Sequence, residues 1–234
     1  MTGASHGSRE RMLGSIREAL GRGRLPAETR EALERRLRFP RANVVPARGQ
    51  LDGAARIDLF IAEAERVNAT TERLSGWQRV PGAVAAYLRS RNLPMAVRAA
   101  RTPELDGLSW ADDAAVAITG GAAEADDLVS LTSAFAGVAE TGTLMLLSGP
   151  ESPTTLNFLP AEHLVAIAQD RVVGTYEDAF ALLRAEVGVG IGLPRVLNWI
   201  TGPSRTADIE QTLLLGAHGP RRLHIMIIDG TGRS

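Results

Sequence analysis

A chain of 234 residues with 44% apolar residues, 23% charged residues and a formal charge of −1 suffices for one large or two small globular domains with an ordinary core. It contains no cysteine, and all 26 basic residues are arginine. This excludes disulfides, iron–sulfur ligation, zinc–thiolate sites, a cysteine nucleophile, a Schiff-base lysine and a Walker-type phosphate lysine. The near-neutral charge and the two Tyr, five Phe and three Trp give little to a nucleic-acid surface.

In chain order, nine arginines fall between Arg9 and Arg38. Leu13, Ile16 and Leu20 predict an amphipathic helix closed by Gly21 or Gly23, and Pro26 opens a second helix with Leu33 and Leu37 on one stripe. These two helices make an arm over residues 1–45, open either to a solvated surface role or to docking on a partner, including a second copy of the chain. Asn43–Gln50 reads as a linker, and residues 46–234 as one α/β domain. There, Ile57, Phe60, Ile61, Ala64 and Val67 predict a helix, 69–75 a strand, Val84, Tyr87 and Leu88 a helix, and 94–99 a strand. Apolar runs at 114–120, 127–133, 142–148 and 162–169 predict strands, 175–187 a helix, 195–201 a strand, 206–215 a helix and 221–229 the last strand. Continuously apolar strands alternating with helices predict a Rossmann-like, mostly parallel sheet covered by helices. Ligand chemistry is then expected where loops leave the carboxyl ends of the strands. No run approaches the ~18–20 apolar residues of a membrane span. The amino terminus has no apolar secretion-signal core, so the cytoplasm is the expected compartment.

Three stretches could carry chemistry. In Ala139–Thr143, Glu140 offers a general base, Thr141 and Thr143 offer hydroxyls, and Gly142 offers positive φ or close ligand approach. The alternative is a turn whose threonines satisfy local backbone groups. In Ile200–Gln211, the Gly202-Pro203 turn leads to Ser204 or Thr206 as a helix cap. Arg205 and the free amides of residues 206–209 would form an anion site there, with Asp208 bonding a hydroxyl or orienting Arg205. An ordinary capped junction explains the same string. In Gly216–Pro220, His218 before Gly219-Pro220 is a candidate acid–base or anion donor, and His163 opens another strand. No metal-ligand spacing supports a metal site. Gly188–Gly192 departs from the dinucleotide fingerprint.

The four blocks AETGTLMLLSG, LPAEHLVAIA, TGPSRTADIEQ and GAHGP, in this order, resemble the LUD domain, and the chain from Ile57 to Asp229 is similar to the lactate-utilisation protein C family. The resemblance implies a fold like the sugar-isomerase, CoA-transferase and formyltetrahydrofolate cyclo-ligase group. It also implies a cluster-free subunit of a system oxidising L-lactate to pyruvate, with iron–sulfur clusters carried only by partner subunits. The motif positions carried over are Glu140, Thr141, Gly142, Thr143, His163, Gly202, Pro203, Ser204, Arg205, Thr206, Asp208, His218 and Gly219. Of these Glu140, His218 and Asp208 are the candidate catalytic groups and Thr141, Gly142, Thr143, His163, Gly202, Ser204, Arg205, Thr206 and Gly219 the candidate substrate-binding ones. They are expected to meet in one cleft, with Glu140 and Thr143 near Ser204, Thr206 and His218. The competing function is an autonomous enzyme or binding protein for a small phosphorylated or carboxylated metabolite, CoA or a nucleotide.

Overall fold

Every side chain of Glu162–Ala168 is buried, because this strand is covered on both faces. The computed structural model describes residues 3–21, 23, 25–39, 44–110, 115–187, 194–207, 213–215 and 218–230. Contacts divide the chain into two units, residues 1–43 and 44–234.

The first unit holds α1 (Gly3–Ala19) and α2 (Ala27–Arg38). Its apolar stripe stays exposed at Met12, Ile16, Leu20, Leu33 and Leu37.

The second unit runs α3 (Gly53–Arg66), β1 (Thr70–Leu74), α4 (Val80–Ser90), β2 (Ala96–Ala99), α5 (Pro103–Asp106), β3 (Ala117–Gly120), β4 (Val129–Ser133), β5 (Ala136–Val138), β6 (Thr143–Ser148), β7 (Glu162–Ala168), β8 (Val172–Val173), α6 (Tyr176–Val187), β9 (Val196–Ile200), β10 (Arg205–Ala207), β11 (Leu213–Leu215) and β12 (Arg222–Ile228). The order β1-β12-β7-β4-β2-β3 forms a six-stranded sheet in which every pairing is parallel. This is the mostly parallel, helix-flanked α/β architecture expected. A side chain alternates faces along a strand, and here the faces differ in cover. Leu164, Ala166, Met226 and Ile228 pack with Val84, Leu88 and Leu105 from α4 and α5. Val165, Ile167, Ile225 and Ile227 pack with Ile57, Phe60 and Ala64, one stripe of α3, and with Leu144 and Leu146.

Those leucines belong to a second sheet, β8-β5-β6-β9, in which β6 is antiparallel to both β5 and β9. The apolar runs at 142–148 and 195–201 therefore lie outside the parallel sheet. The run in β6 is apolar at consecutive positions because its sheet is itself a middle layer. Leu144 and Leu146 face the parallel sheet, while Met145 faces Ala179 and Leu183 of α6. Helix α6 starts on a reciprocal cap: Thr175 Oγ1 accepts from Asp178 N at 3.2 Å, and Asp178 Oδ2 accepts from Thr175 N at 3.1 Å.

Two further expectations are corrected. The helix over 206–215 is replaced at its described ends by a hairpin, pairing Arg205 with Leu215 and Ala207 with Leu213. Leucine favours a helix by propensity, and the cross-strand pairing with Arg205–Ala207 overrides it. Residues 47–50 of the expected linker are not free chain, since Ala47–Gln50 forms a 3-10 turn with Gly49 buried. A Cβ on Gly49 would lie 2.5 Å from Thr175 Cγ2 and 3.4 Å from Glu140 Oε2. Gly188–Gly192 lies outside the described residues.

Candidate functional site

Strand direction gives the parallel sheet two edges. At its amino edge β7 and β12 begin, and the β5–β6 and β9–β10 loops arrive beside them. The sequence blocks collect there, not at the carboxyl edge where open α/β sheets usually hold ligands.

A cavity of about 290 Å³ opens at the amino edge, lined by Asn157, Phe158, His163, Trp199, Ile200, Thr201, Gly202, Pro203, Ser204, Arg205, His218, Gly219, Pro220 and Leu223. It thus unites His163, Gly202, Ser204, Arg205, His218 and Gly219. The two flanking loops touch directly. Ser204 N donates to Pro220 O at 2.9 Å, and a Cβ on Gly219 would lie 3.0 Å from Ser204 Cβ. His218 and Arg205 are exposed at the mouth, and Arg205 Nη2 donates to the Val67 carbonyl. Strand β10, Arg205–Ala207, stands where the helix start of the expected anion site was placed, and residues 208–209 of that site lie outside the described residues. Thr206 lies in β10, and Asp208 falls outside the described residues.

His163 and Asn157 form the inner wall, each 1% exposed. Asn157 closes a 3-10 turn, Thr154–Asn157, pinned by the burial of Leu156 and by Ser130 Oγ, which donates to Leu156 O at 2.6 Å. His163 Nε2 lies 2.8 Å from Thr132 Oγ1. Burial pulls the imidazole down to about 3, so it is neutral at physiological pH. Its Nδ1 and both amide atoms of Asn157 have no hydrogen-bond partner, which is unusual for buried polar groups. Sequence analysis missed Asn157, whose only signal was its place before Phe158 and the LPAEH block.

The AETGT loop divides into parts. Thr143 Oγ1 lies 2.8 Å from Thr141 Oγ1, 3.0 Å from Tyr176 Oη and 2.7 Å from Thr201 Oγ1. Thr201 carries this hydroxyl chain to the cavity, although Thr141 and Thr143 do not line it. Gly142 has φ +63, and a Cβ there would lie 2.2 Å from Ala64 N. It serves the close approach of α3. Glu140 is buried, but its carboxylate abuts Gly49 and its amide donates to Gly174 O at 3.1 Å. It does not line the cavity, so the expected cleft lacks one of its three candidate catalytic groups.

At the carboxyl edge a second cavity of about 200 Å³ is lined by residues including Trp77, Thr102, Ser133, Phe135, Arg171 and Glu186. It sits between the ends of β2 and β4, where the chain reverses its direction of travel across the sheet, the topological switch point. Thr102 Oγ1 and Ser133 Oγ lie 2.8 Å apart. Arg171 pairs with Glu186 and stands 5.6 Å over the Phe135 ring. Among the described residues no group of three or more His, Asp or Glu could hold a metal ion, and no helix is long and apolar enough to cross a membrane.

Comparison with known proteins gives four findings. The sequence profile of the LUD domain matches residues 57–228. An uncharacterized protein of Neisseria meningitidis serogroup B is 42% identical over 97 residues, 42% of this chain and 40% of that protein. Lactate utilization protein C of a Geobacillus species is 35% identical over 100 residues, 43% of this chain and 42% of that protein. Each alignment spans about two fifths of the relative's length. Among solved structures, a DUF162 family protein from Deinococcus radiodurans superposes with a TM-score of 0.55 at 22% identity, covering 76% of this chain and 99% of that one, which is a likeness of fold.

Proposed function

Since the chain belongs to the LUD domain family and is similar to a lactate utilization protein C, we propose that it is the cluster-free subunit of an L-lactate utilisation system. In that system lactate loses two electrons and two protons to become pyruvate, and iron–sulfur partner subunits accept the electrons. This chain has no cysteine to ligate such clusters, so its contribution is a ligand site. The observation that carries the assignment of that site is the amino-edge cavity, where three of the four sequence blocks meet around His163, Ser204, Arg205 and His218. His218 is the acid–base group at its mouth and Arg205 the anion-binding one. The exposed apolar stripe of α1 and α2 is the contact surface for the partner subunits or for a second copy.

The isolated chain should not oxidise L-lactate with a dye acceptor, and adding it to the two iron–sulfur partners should restore turnover. Full turnover by the partners without it would sink the assignment, as would normal growth on L-lactate of a deletion strain lacking other lactate oxidases. A second reading, an autonomous enzyme or binding protein for a small phosphorylated or carboxylated metabolite, CoA or a nucleotide, is favoured by Arg205 and His218 standing together at the mouth.

A further inference from the structure

Charge is divided along the chain. Residues 1–43 hold ten arginines against five glutamates, whereas residues 102–170 hold eleven Asp and Glu and no arginine. Exposed apolar surface follows the same division. The arm leaves Leu20, Leu33, Leu37 and Phe39 between 44% and 78% exposed, and among the described residues no ion pair engages its arginines. Of the six large apolar residues exposed among the described ones of the second unit, three belong to the acidic stretch: Leu128, Phe158 and Leu159.

Those three stand at the amino edge, on its β4–β7 side. Glu162 N, at the start of β7, donates to Leu128 O at 3.0 Å, and Ala123 N donates to Thr155 Oγ1 at 2.9 Å. The chain entering β4 and the turn entering β7 are thereby held side by side, with Glu124 and Asp126 exposed in the first. The basic groups of this edge lie beyond β7, with Arg205 in β10 and Arg221 and Arg222 at the start of β12. Exposed apolar side chains beside charge of one sign mark a contact surface for a partner of the other sign. The arm has that composition. Two arms packed on each other would instead bring net positive charge against net positive charge, which is unfavourable.

We infer that the arm of one copy docks on the amino edge of a second copy, its leucines against Leu128, Phe158 and Leu159 and its arginines towards the acidic stretch. The exchange is reciprocal and gives a two-fold dimer. This rests on the proposal above that the apolar stripe of the arm is a contact surface. It names the second copy as the occupant, because the surface that complements the arm in charge and in apolar character is carried by the chain itself. Phe158 also lines the amino-edge cavity, so the docked arm borders that cavity, and the dimer, not the single chain, presents the complete site.

The test is sedimentation velocity on the full chain from micromolar to millimolar concentration. The parent should dimerise, and added salt should weaken the dimer, since the opposed charges are exposed. Leu33→Ser with Leu37→Ser in the arm should raise the dissociation constant at least about tenfold, and so should Leu128→Ser with Leu159→Ser at the amino edge. Both double variants should keep the circular dichroism of the parent, because all four side chains are exposed. An equimolar mixture of the two should associate more tightly than either alone, because one intact arm then meets one intact edge. A chain that is monomeric throughout, a dimer that either double variant leaves intact, or a mixture no tighter than its components would overturn the inference. If the chain is monomeric yet restores lactate oxidation with the iron–sulfur partners, the inference falls and the subunit assignment stands. A dimer of this kind that is dispensable for lactate oxidation reverses that outcome.

Discussion

The two edges of the parallel sheet each hold a cavity, and their polar groups are satisfied to different degrees. At the carboxyl edge the hydroxyls of Thr102 and Ser133 satisfy each other and Arg171 is neutralised by Glu186, while the indole Nε1 of Trp77 is buried without a partner. At the amino edge Asn157 and His163 are buried with atoms unpartnered, and Arg205 and His218 stand open at the rim. Topology alone favours the carboxyl edge, since the switch point lies there. Polar accounting favours the amino edge, because unsatisfied buried groups persist in native structures where something else completes them. The difference teaches that strand order marks where a cleft can form, and that the state of its donors and acceptors marks which cleft is built for an occupant.

The sharpest way to separate scaffold from site at the amino edge is Gly142→Ala. The new Cβ would need positive φ and would lie 2.2 Å from the Ala64 nitrogen, inside the backbone of α3. Strain of this kind costs about 3 kcal/mol or more, which in a domain of this size lowers the melting temperature by roughly 6–12 °C. Thermal unfolding by circular dichroism checks it. A loss of ligand binding at unchanged stability would instead return Gly142 to the site.

The next effect is acid sensitivity confined to the amino edge. His163 titrates near 6.5 when unfolded and at about 3 when folded, so the unfolded chain takes up the proton first. The stabilisation is therefore complete above pH 6.5 and falls by up to about 1.4 kcal/mol per pH unit as pH drops towards 3. His224 is lowered by burial with the same sign. His163→Gln should flatten part of the acid limb and leave the share of His224. Urea midpoints between pH 4 and 7 measure this, and an unchanged slope in the variant would mean that His163 is hydrated and not sealed.

These contrasts show what was legible in the sequence. The period of each apolar run gave α3, α4, α6 and the central strands β4, β7 and β12, because each helix buries one stripe and each of these strands two faces. Which sheet a strand joins was not legible in β6. A strand between two layers and a strand inside a parallel sheet are both continuously apolar, and only the pairing with β9 distinguishes them. The helix over 206–215 failed for a related reason, since Leu213-Leu214-Leu215 suits a hairpin as well as a helix. His163, Ser204, Arg205 and His218 were legible as motif residues. Asn157 was not, because its importance lies in lacking partners, a property of packing and not of spacing. Glu140 was overread, because a carboxylate beside two threonines says nothing about the direction in which it points.

On the opposite face of the amino edge stands Glu162, the strand neighbour of His163 in β7. It accepts from Tyr87 Oη at 2.7 Å and from Arg222. Tyr87→Phe removes one hydrogen bond to a buried carboxylate, worth about 1.5–3 kcal/mol, and should lower the melting temperature by roughly 3–12 °C. Burial first, and the Glu162 hydrogen bond second, raise the Tyr87 phenol above its ordinary value. The unfolded chain therefore releases that proton from about pH 10 while the folded chain holds it, and stability falls as pH rises beyond 10. The variant should lose this alkaline slope and the late part of the tyrosine absorbance rise. An early rise lost in its place would mean that the phenol is open to water.

The smallest expected effect belongs to the carboxyl edge and bears hardest on the comparison. Thr102→Val or Ser133→Ala alone strands one part-buried hydroxyl, at a cost of about 1–2 kcal/mol. Removing both leaves nothing unpaired, so Thr102→Val with Ser133→Ala should be destabilised by less than the sum of the single variants, within about 1 kcal/mol of the parent. A double-mutant cycle in urea measures the coupling. The same double variant should keep whatever ligand affinity the parent shows, because its hydroxyls are already satisfied by each other. Loss of binding in this variant, with Asn157→Leu and Arg205→Ala unaffected, would move the site to the switch point. The unpartnered atoms at the amino edge would then be a packing defect, and strand order the better guide.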